Sequence, residues 1–244
     1  MIIANMATFP KRADVLESTI KTLVNQVDHI NLCLNEHDAI PTWCARYPNL
    51  HPVIPEQDWK DVGKFIFDVS PNDEVFLVDD DIIYPPDYVA ALLETRSMIG
   101  LESAIVGTHA VIYSDYFDGL PASRNVRSYR QAENCFRQVN QLGTGTVCLK
   151  GAHMPPLEYM IGSERYVDVR FARYQHERGV VLISAPRSAG WMRDQKVDGG
   201  IFQEFTVVWP DEVVKETLEI AGYSKLDLTV MAHLKTLCTD LKAS

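Results

Sequence analysis

Short apolar runs alternate with amphipathic helical segments through the first two-thirds of the chain, and this pattern restricts the fold more than any other feature. The runs that predict strands are 2–7, 29–34, 74–78, 104–113, 145–149 and 180–184. Between them, helices are predicted at 14–27, from Pro85-Pro86-Asp87 to Gly100, and at about 167–178. Repeated strand–helix alternation predicts an α/β fold whose largely parallel sheet is covered by helices on both faces.

The tail has a different character, with one helix beginning at Pro210-Asp211 and a second at about 226–241. The second helix carries one apolar stripe, formed by Val230, Met231, Leu234, Leu237, Cys238 and Leu241. Such a stripe favours packing against the helix's own domain; a second copy, a neighbouring domain and a membrane surface are the alternatives. We therefore predict a main domain over 1–205 and a C-terminal helical extension over 206–244.

Charge and cysteine content exclude several classes of protein. A net charge of −10 and a pI near 5.1 argue against a nucleic-acid partner, because no broad basic face is available to neutralise phosphates. The five cysteines are scattered, without a C-x-x-C pair, which is typical of free thiols in a reducing compartment. No signal peptide or membrane-spanning run is recognised. We expect a cytoplasmic protein, with docking at the inner face of a membrane left open.

The sharpest local feature is the acidic triplet Asp79-Asp80-Asp81, which directly follows the apolar run at 75–78. Adjacent carboxylates repel one another unless a cation is present, and Mg²⁺ or Mn²⁺ prefers such oxygen ligands together with phosphate. Because alternate residues of an extended segment point the same way, Asp79 and Asp81 can share one ligand while Asp80 faces elsewhere. The alternative is a solvated acidic turn.

Other polar residues follow the predicted strands in the same way. Thr8 follows the first strand and Asn35 the second. Ligands of parallel α/β sheets collect at the carboxyl ends of the strands. The sequence therefore predicts a ligand site formed by these residues and the acidic triplet.

The run from Val75 to Asp87 resembles the DxD motif of GT-A glycosyltransferases, particularly bacterial family 2-like enzymes that build surface polysaccharides. The similarity covers about 2–192 and implies a Rossmann-like, mostly parallel sheet, with a nucleotide-binding half at about 1–100 and an acceptor half at about 101–205. Four further segments resemble elements of that family: Ala7-Thr8-Phe9-Pro10-Lys11-Arg12, Asp61-Val62-Gly63-Lys64-Phe65, Gly143-Thr144-Gly145-Thr146 and Tyr166-Val167-Asp168.

The resemblance implies a role for each matched position. On the donor side, Thr8, Arg12 and Asn35 would surround base and ribose, Asp61 and Lys64 would contact base or phosphate, and Asp80 would belong to the same nucleotide-sugar site. Asp79 would contact ribose or metal, and Asp81 would hold the metal on the diphosphate. Asp168 would be the general base. On the acceptor side stand Gly143, Thr144, Gly145, Thr146 and Trp191; Arg187 and Trp191, before Gly199-Gly200, could form a segment that covers the substrate.

The implied reaction is a metal-dependent, inverting transfer of a sugar from a nucleotide-sugar, with UDP the favoured nucleotide, to a glycan or lipid-linked glycan. Mn²⁺ or Mg²⁺ would be the cofactor. The metal ligand set stays incomplete, because the only histidine after Trp191 is His233, inside the striped helix. Alternatives are a catalytically inactive nucleotide-sugar-binding module and a sugar nucleotidyltransferase, although the latter requires a glycine-rich loop where this chain has Thr8 to Arg12. An aspartyl phosphatase is disfavoured by Ile83.

Overall fold

The computed structural model describes residues 1–114, 116–195, 209–222 and 228–243. The described strands are β1 (Ile2–Thr8), β2 (His29–Leu34), β3 (Leu50–Val53), β4 (Glu74–Val78), β5 (Ile82–Ile83), β6 (Ala104–Gly107), β7 (Ala110–Ile112), β8 (Asn125–Arg127), β9 (Arg137–Gln138), β10 (Gln141–Leu142), β11 (Thr146–Lys150), β12 (Val181–Ser184) and β13 (Arg193–Asp194). The α-helices are α1 (Ala13–Leu23), α2 (Tyr88–Ile99), α3 (Leu157–Met160), α4 (Val167–His176), α5 (Asp211–Gly222) and α6 (Leu228–Ala243).

Eight strands form a central mixed sheet in the order β3-β2-β1-β4-β11-β6-β12-β9. Strands β3, β2, β1 and β4 are parallel neighbours. Strand β11 runs antiparallel between β4 and β6, while β12 lies parallel to β6. Two small sheets, β10-β7-β8 and β13-β5, stand beside it. An α/β fold with a large, mostly parallel sheet flanked by helices is thereby confirmed, and the antiparallel β11 is the main departure from simple alternation.

The sheet is buried on both faces, as the apolar run of β4 shows. Phe76 and Val78 belong to one core cluster, whereas the alternating residues Val75 and Leu77 belong to the other. Helices α1, α2 and α6 contribute to the first cluster. The 3-10 helix Lys60–Phe65, together with α4 and α5, contributes to the second. A strand buried on both faces needs an almost continuous apolar sequence, which explains why β4 could be recognised from its residues.

The strand predicted at 104–113 is wrong in its extent. It is divided into β6 and β7, which belong to different sheets. The division lies at Thr108 and His109, whose backbone N–H groups donate to Thr146 Oγ1 at 3.4 and 2.9 Å. Strand β3 was not predicted; it is an edge strand that contains Pro52, and proline in a strand is confined to such edges.

The two C-terminal helices pack onto the domain. Ile220 of α5 is buried in one core cluster, and Val230, Leu234 and Cys238 of α6 are buried in the other. Met231 of the predicted stripe is 41% exposed. The predicted domain boundary at 205 lies outside the described residues. In the described ranges, no helix combines the length and apolar character that crossing a bilayer requires.

Candidate functional site

The acidic triplet lies where the direction of strand order changes. From β1 the chain continues outward to β2 and β3, whereas β4 returns to the opposite side of β1. The carboxyl ends of β1 and β4 therefore border the crevice in which open α/β sheets bind ligands. Thr8, at the end of β1, donates its hydroxyl hydrogen to Asp80 Oδ2 across this crevice at 2.6 Å.

Asp80 is the inward-facing member of the triplet. Its carboxylate is buried between Thr8 and Arg12, and its backbone carbonyl accepts a hydrogen bond from Thr19 Oγ1 at 2.9 Å. Burial raises the pKa of Asp80 to about 7, and the neighbouring charge of Asp81 adds to the effect. Asp80 thus connects β4 to β1 and α1 and is the least accessible of the three acids.

Arg12 is the nearest cation to the outer acid. Its Nη2 lies 3.3 Å from Asp81 Oδ2. Burial and the charge of Asp79 raise the pKa of Asp81 to about 6, while Arg12 opposes the shift. Arg12 is itself buried, and its Nε and Nη1 have no hydrogen-bond partner in the part of the chain that is described. Buried guanidinium donors are normally satisfied, so this arginine has capacity to bind an anion.

Lys64 forms an ion pair with Asp79. Its Nζ contacts Asp79 Oδ1 and also donates to the carbonyl of Thr144 at 3.3 Å. Burial tends to lower the pKa of Lys64, but the Asp79 carboxylate outweighs burial and the pKa is raised. The Asp79 side chain is 42% exposed and the Lys64 side chain only 4% exposed. Asp79 therefore faces the crevice with a buried cation behind it.

The glycine-rich loop 143–145 enters the same crevice because β11, which it precedes, is antiparallel to β4. Each loop residue abuts a different side chain. A Cβ on Gly143 would lie 2.9 Å from Cδ2 of His109, and one on Gly145 would lie 1.9 Å from Asp79 Oδ2. Between them, Thr144 donates its backbone N–H and its hydroxyl to Asp168 Oδ1 at 2.8 and 2.7 Å. The loop thus places Asp79 and Asp168 at its two flanks.

Asp168 stands in the first turn of α4, where the helix dipole favours a carboxylate. Thr144 engages only its Oδ1. Its Oδ2 makes no hydrogen bond to any described residue. One oxygen is therefore fixed by the loop and the other is available to a ligand.

Asn35 and Asp61 serve the backbone around the crevice. Asn35 accepts from the N–H of Trp59 and donates to the carbonyl of Lys60, each at 2.9 Å. Asp61 Oδ1 accepts the N–H of Arg165 at 2.6 Å, just before α4. Both side chains therefore hold the 3-10 helix Lys60–Phe65 in place, and the implied contacts with the base stay a prediction.

Trp191 and Arg187 are held against the domain. Trp191 donates its Nε1 hydrogen to Asp87 Oδ1 at 3.1 Å, and its ring packs against Tyr88 at 5.9 Å. Arg187 is buried and donates to the carbonyls of Ala185 and Ser128 at 2.9 and 2.8 Å. The Gly199-Gly200 pair lies outside the described residues.

Sequence reasoning missed two residues at the crevice, His109 and Asp194. Strand β13 pairs with β5, so that Asp194 lies opposite Ile82, and Gln195 N–H donates to the Asp81 carbonyl at 2.7 Å. Asp194 accepts a hydrogen bond from Tyr129. Neither residue belongs to a recognisable spacing, because each reaches the crevice through pairing with a segment distant in sequence.

The donor atoms present fit a hard divalent cation held jointly with phosphate. Among the described residues, no three Asp, Glu, His or Cys side chains are grouped to hold a metal on their own. Mg²⁺ is commonly bound by one or two carboxylates with substrate phosphates and water. The side chains of Asp79 and Asp81 are 42% and 28% exposed, against 10% for Asp80. A metal shared by Asp79 and Asp81 stays a prediction.

No protein-family model matches the chain, and no curated protein matches its sequence significantly. The function must therefore be inferred from the site.

Proposed function

We propose that this chain is a GT-A-type glycosyltransferase that moves a sugar from a nucleotide-sugar to a hydroxyl group, with Mn²⁺ or Mg²⁺ as cofactor. The observation that carries the proposal is the placement of Asp79 and Asp168 at the two flanks of loop 143–145, beside the carboxyl ends of β1 and β4. Sugar transfer needs a group for the departing diphosphate on one side and a base for the acceptor on the other, and these two acids supply that separation.

The donor side consists of Arg12, Lys64 and the exposed acids. Arg12 has unused guanidinium donors, and Lys64 places its ammonium group behind Asp79. These two cations would bind the oxygens of a diphosphate through charge-assisted hydrogen bonds. Asp79 and Asp81 would hold the divalent ion, which would supply further stabilisation of negative charge on the leaving nucleoside diphosphate. Asp80, buried against Thr8, keeps the triplet in position.

Asp168 is the proposed general base. Thr144 fixes Oδ1, so Oδ2 can accept the proton of the acceptor hydroxyl as that oxygen attacks the anomeric carbon. The bond between the anomeric carbon and the diphosphate oxygen breaks in the same displacement. One displacement inverts the configuration of the sugar.

The acceptor is proposed to be a glycan or lipid-linked glycan, and UDP the favoured nucleotide, because of the motif resemblance. The same resemblance favours a role in surface polysaccharide synthesis, inside the cell near the membrane.

Calorimetry with UDP, GDP, CDP and TDP, each with and without Mn²⁺, tests the proposal. The wild type should bind one nucleotide in a metal-dependent manner, and Asp81→Ala should lose most of that binding. Asp38→Ala, which removes an exposed acid elsewhere, is the matched control and should bind as the wild type does. Absence of binding under every condition would overturn the proposal.

Turnover is tested separately with the matching sugar nucleotides. Release of free sugar, or its transfer to a glycan mixture, supports an enzyme. Metal-dependent binding with neither hydrolysis nor transfer would instead favour the inactive nucleotide-sugar-binding module.

A further inference from the structure

His109 occupies a fixed position between the two parts of the crevice. The hydroxyl of Thr146 accepts its backbone N–H at 2.9 Å, and its carbonyl accepts the N–H of Gly143 at 2.9 Å. These two bonds attach the break between β6 and β7 to both ends of the glycine-rich loop. The backbone of His109 is thereby fixed relative to Asp79 and Asp168, which the same loop contacts.

The imidazole ring is held from two sides. Gly143 faces Cδ2, and a Cβ at position 143 would approach that atom to 2.9 Å. Tyr129 packs against the ring edge-on at 5.7 Å, and its hydroxyl bonds Asp194 beside the acidic triplet. The loop contacts His109, Asp168 and Asp79 through three successive residues. The three side chains are therefore close neighbours, although no short-range sequence pattern joins them.

The nitrogens of this ring have no partners among the described residues. Nδ1 is enclosed and makes no hydrogen bond, and Nε2 makes none either. Burial lowers the pKa of His109, although the charges of Asp168 and Asp79 act in the opposite direction. A neutral imidazole has one N–H donor and one acceptor nitrogen. Since Nδ1 is enclosed and Cδ2 faces Gly143, the open side of the half-buried ring is the Nε2 side.

In the proposed reaction the transferred sugar must lie between the diphosphate near Asp79 and the base Asp168. We propose that His109 binds this sugar, with its imidazole hydrogen-bonded to a hydroxyl group of the donor's sugar ring. This inference rests on the proposed function, and it assigns to one residue the affinity for the sugar as distinct from the nucleotide.

Paired calorimetric titrations test the assignment in the presence of Mn²⁺. The probes are the nucleoside diphosphate that the wild type binds and its glucose, galactose and N-acetylglucosamine conjugates. His109→Ala should weaken the best sugar conjugate by about tenfold, the upper range for one neutral hydrogen bond, and should change the affinity for the nucleoside diphosphate by less than about twofold. Gly143→Ala should have the same selective effect, because its methyl group displaces the ring.

Two further variants serve as controls. His109→Gln retains a polar group near the Nε2 position and should recover part of the lost affinity. His51→Ala, at an exposed histidine on the edge strand β3, should bind both probes as the wild type does. Thermal melts check that the variants are folded.

An equal loss for both probes would assign His109 to the nucleotide site or to the fold, and no loss for either would remove it from the site; each result overturns the inference while the proposed function stands. If the wild type binds no nucleotide at all, the proposed function falls first and this inference falls with it.

Discussion

The backbone of Gly145 lies so close to the Asp79 carboxylate that no side chain fits at position 145. A Cβ there would be 1.9 Å from Oδ2 and 2.3 Å from Cγ. The register between β11 and β4, which pairs Thr146 with Val78, produces this approach. Glycine at 145 is therefore required by the position of an acid on a neighbouring strand, and the backbone conformation of the loop is not the reason.

Gly145→Ala should displace the Asp79 side chain and abolish metal-dependent nucleotide binding. The introduced methyl group should also reduce the free energy of unfolding by about 1–3 kcal/mol, a typical cost of overpacking. Calorimetry and urea unfolding measure the two effects. Gly222→Ala is the control, since no atom lies within 4 Å of the place that its new methyl group would take. Wild-type nucleotide binding by Gly145→Ala would show that Asp79 is not needed where it lies.

Lys64→Met should change metal and nucleotide binding in opposite directions. Without the buried ammonium group, Asp79 loses its counterion, and Mn²⁺ alone should bind about tenfold more tightly, equivalent to about 1.4 kcal/mol. The nucleotide with Mn²⁺ should bind at least tenfold more weakly, because a charge-assisted hydrogen bond contributes about 1.5–3 kcal/mol. Lys21→Met, which removes the exposed partner of Glu17, is the control. Parallel changes in both affinities would contradict this exchange of partners.

Asp168→Asn should separate catalysis from binding. The amide oxygen can still accept both hydrogen bonds from Thr144, so nucleotide affinity should stay within about twofold, while hydrolysis of the sugar nucleotide should fall by about 10²–10⁴, the range for loss of a general base. Asp168→Ala should also lower the melting temperature, because it leaves the Thr144 donors unpaired. Retained hydrolysis in Asp168→Asn would assign the base elsewhere.

Asp61 should make stability depend on pH. Burial raises its pKa to about 6, against the opposing Arg165 N–H and Lys64, whereas an unfolded aspartate titrates near about 3.9. The folded protein therefore binds more protons between about pH 4 and 6, and the free energy of unfolding falls as pH rises through this window, by about 2 kcal/mol from this group.

Asp61→Asn preserves the acceptor for Arg165 and removes the titrating carboxylate. The variant should therefore lose less stability than the wild type between pH 4.5 and 7.5, as measured by urea unfolding. Asp38→Asn controls for the change in net charge. Identical pH dependence in Asp61→Asn and wild type would show that Asp61 does not titrate in this window.

Leu234→Ala tests whether α6 belongs to the core. Leu234 is 3% exposed, and its truncation should cost about 2–5 kcal/mol of unfolding free energy, as for other buried leucines. Met231→Ala, on the same helix but 41% exposed, should change the free energy of unfolding by less than about 0.5 kcal/mol. Equal, small effects in denaturant unfolding would mean that α6 packs only loosely on the sheet.

Strand β4 and the position of the acids after it could be predicted because both depend on adjacent residues. Its apolar run is buried on both faces, and the triplet follows at once. The carboxyl edge then follows from the alternation of strands and helices.

The partners of the acids could not be predicted in the same way. Lys64 lies 15 residues before Asp79, and Thr8 lies 72 residues before Asp80. His109 and Asp194 reach the crevice only because β11 is antiparallel and β13 pairs with β5. The direction of a short apolar strand is not encoded in its own residues; it depends on which edges are open when the strand packs.

Strand β11 joins the parallel group that ends at β4 to the pair β6 and β12. The same strand begins where loop 143–145 meets Asp79, Asp168 and His109. Cohesion of the sheet and geometry of the crevice are thus borne by one segment of the chain. Sequence change in β11 cannot be selected for stability alone, because any shift that repacks the strand also moves the loop, so this part of the protein evolves under two constraints at once.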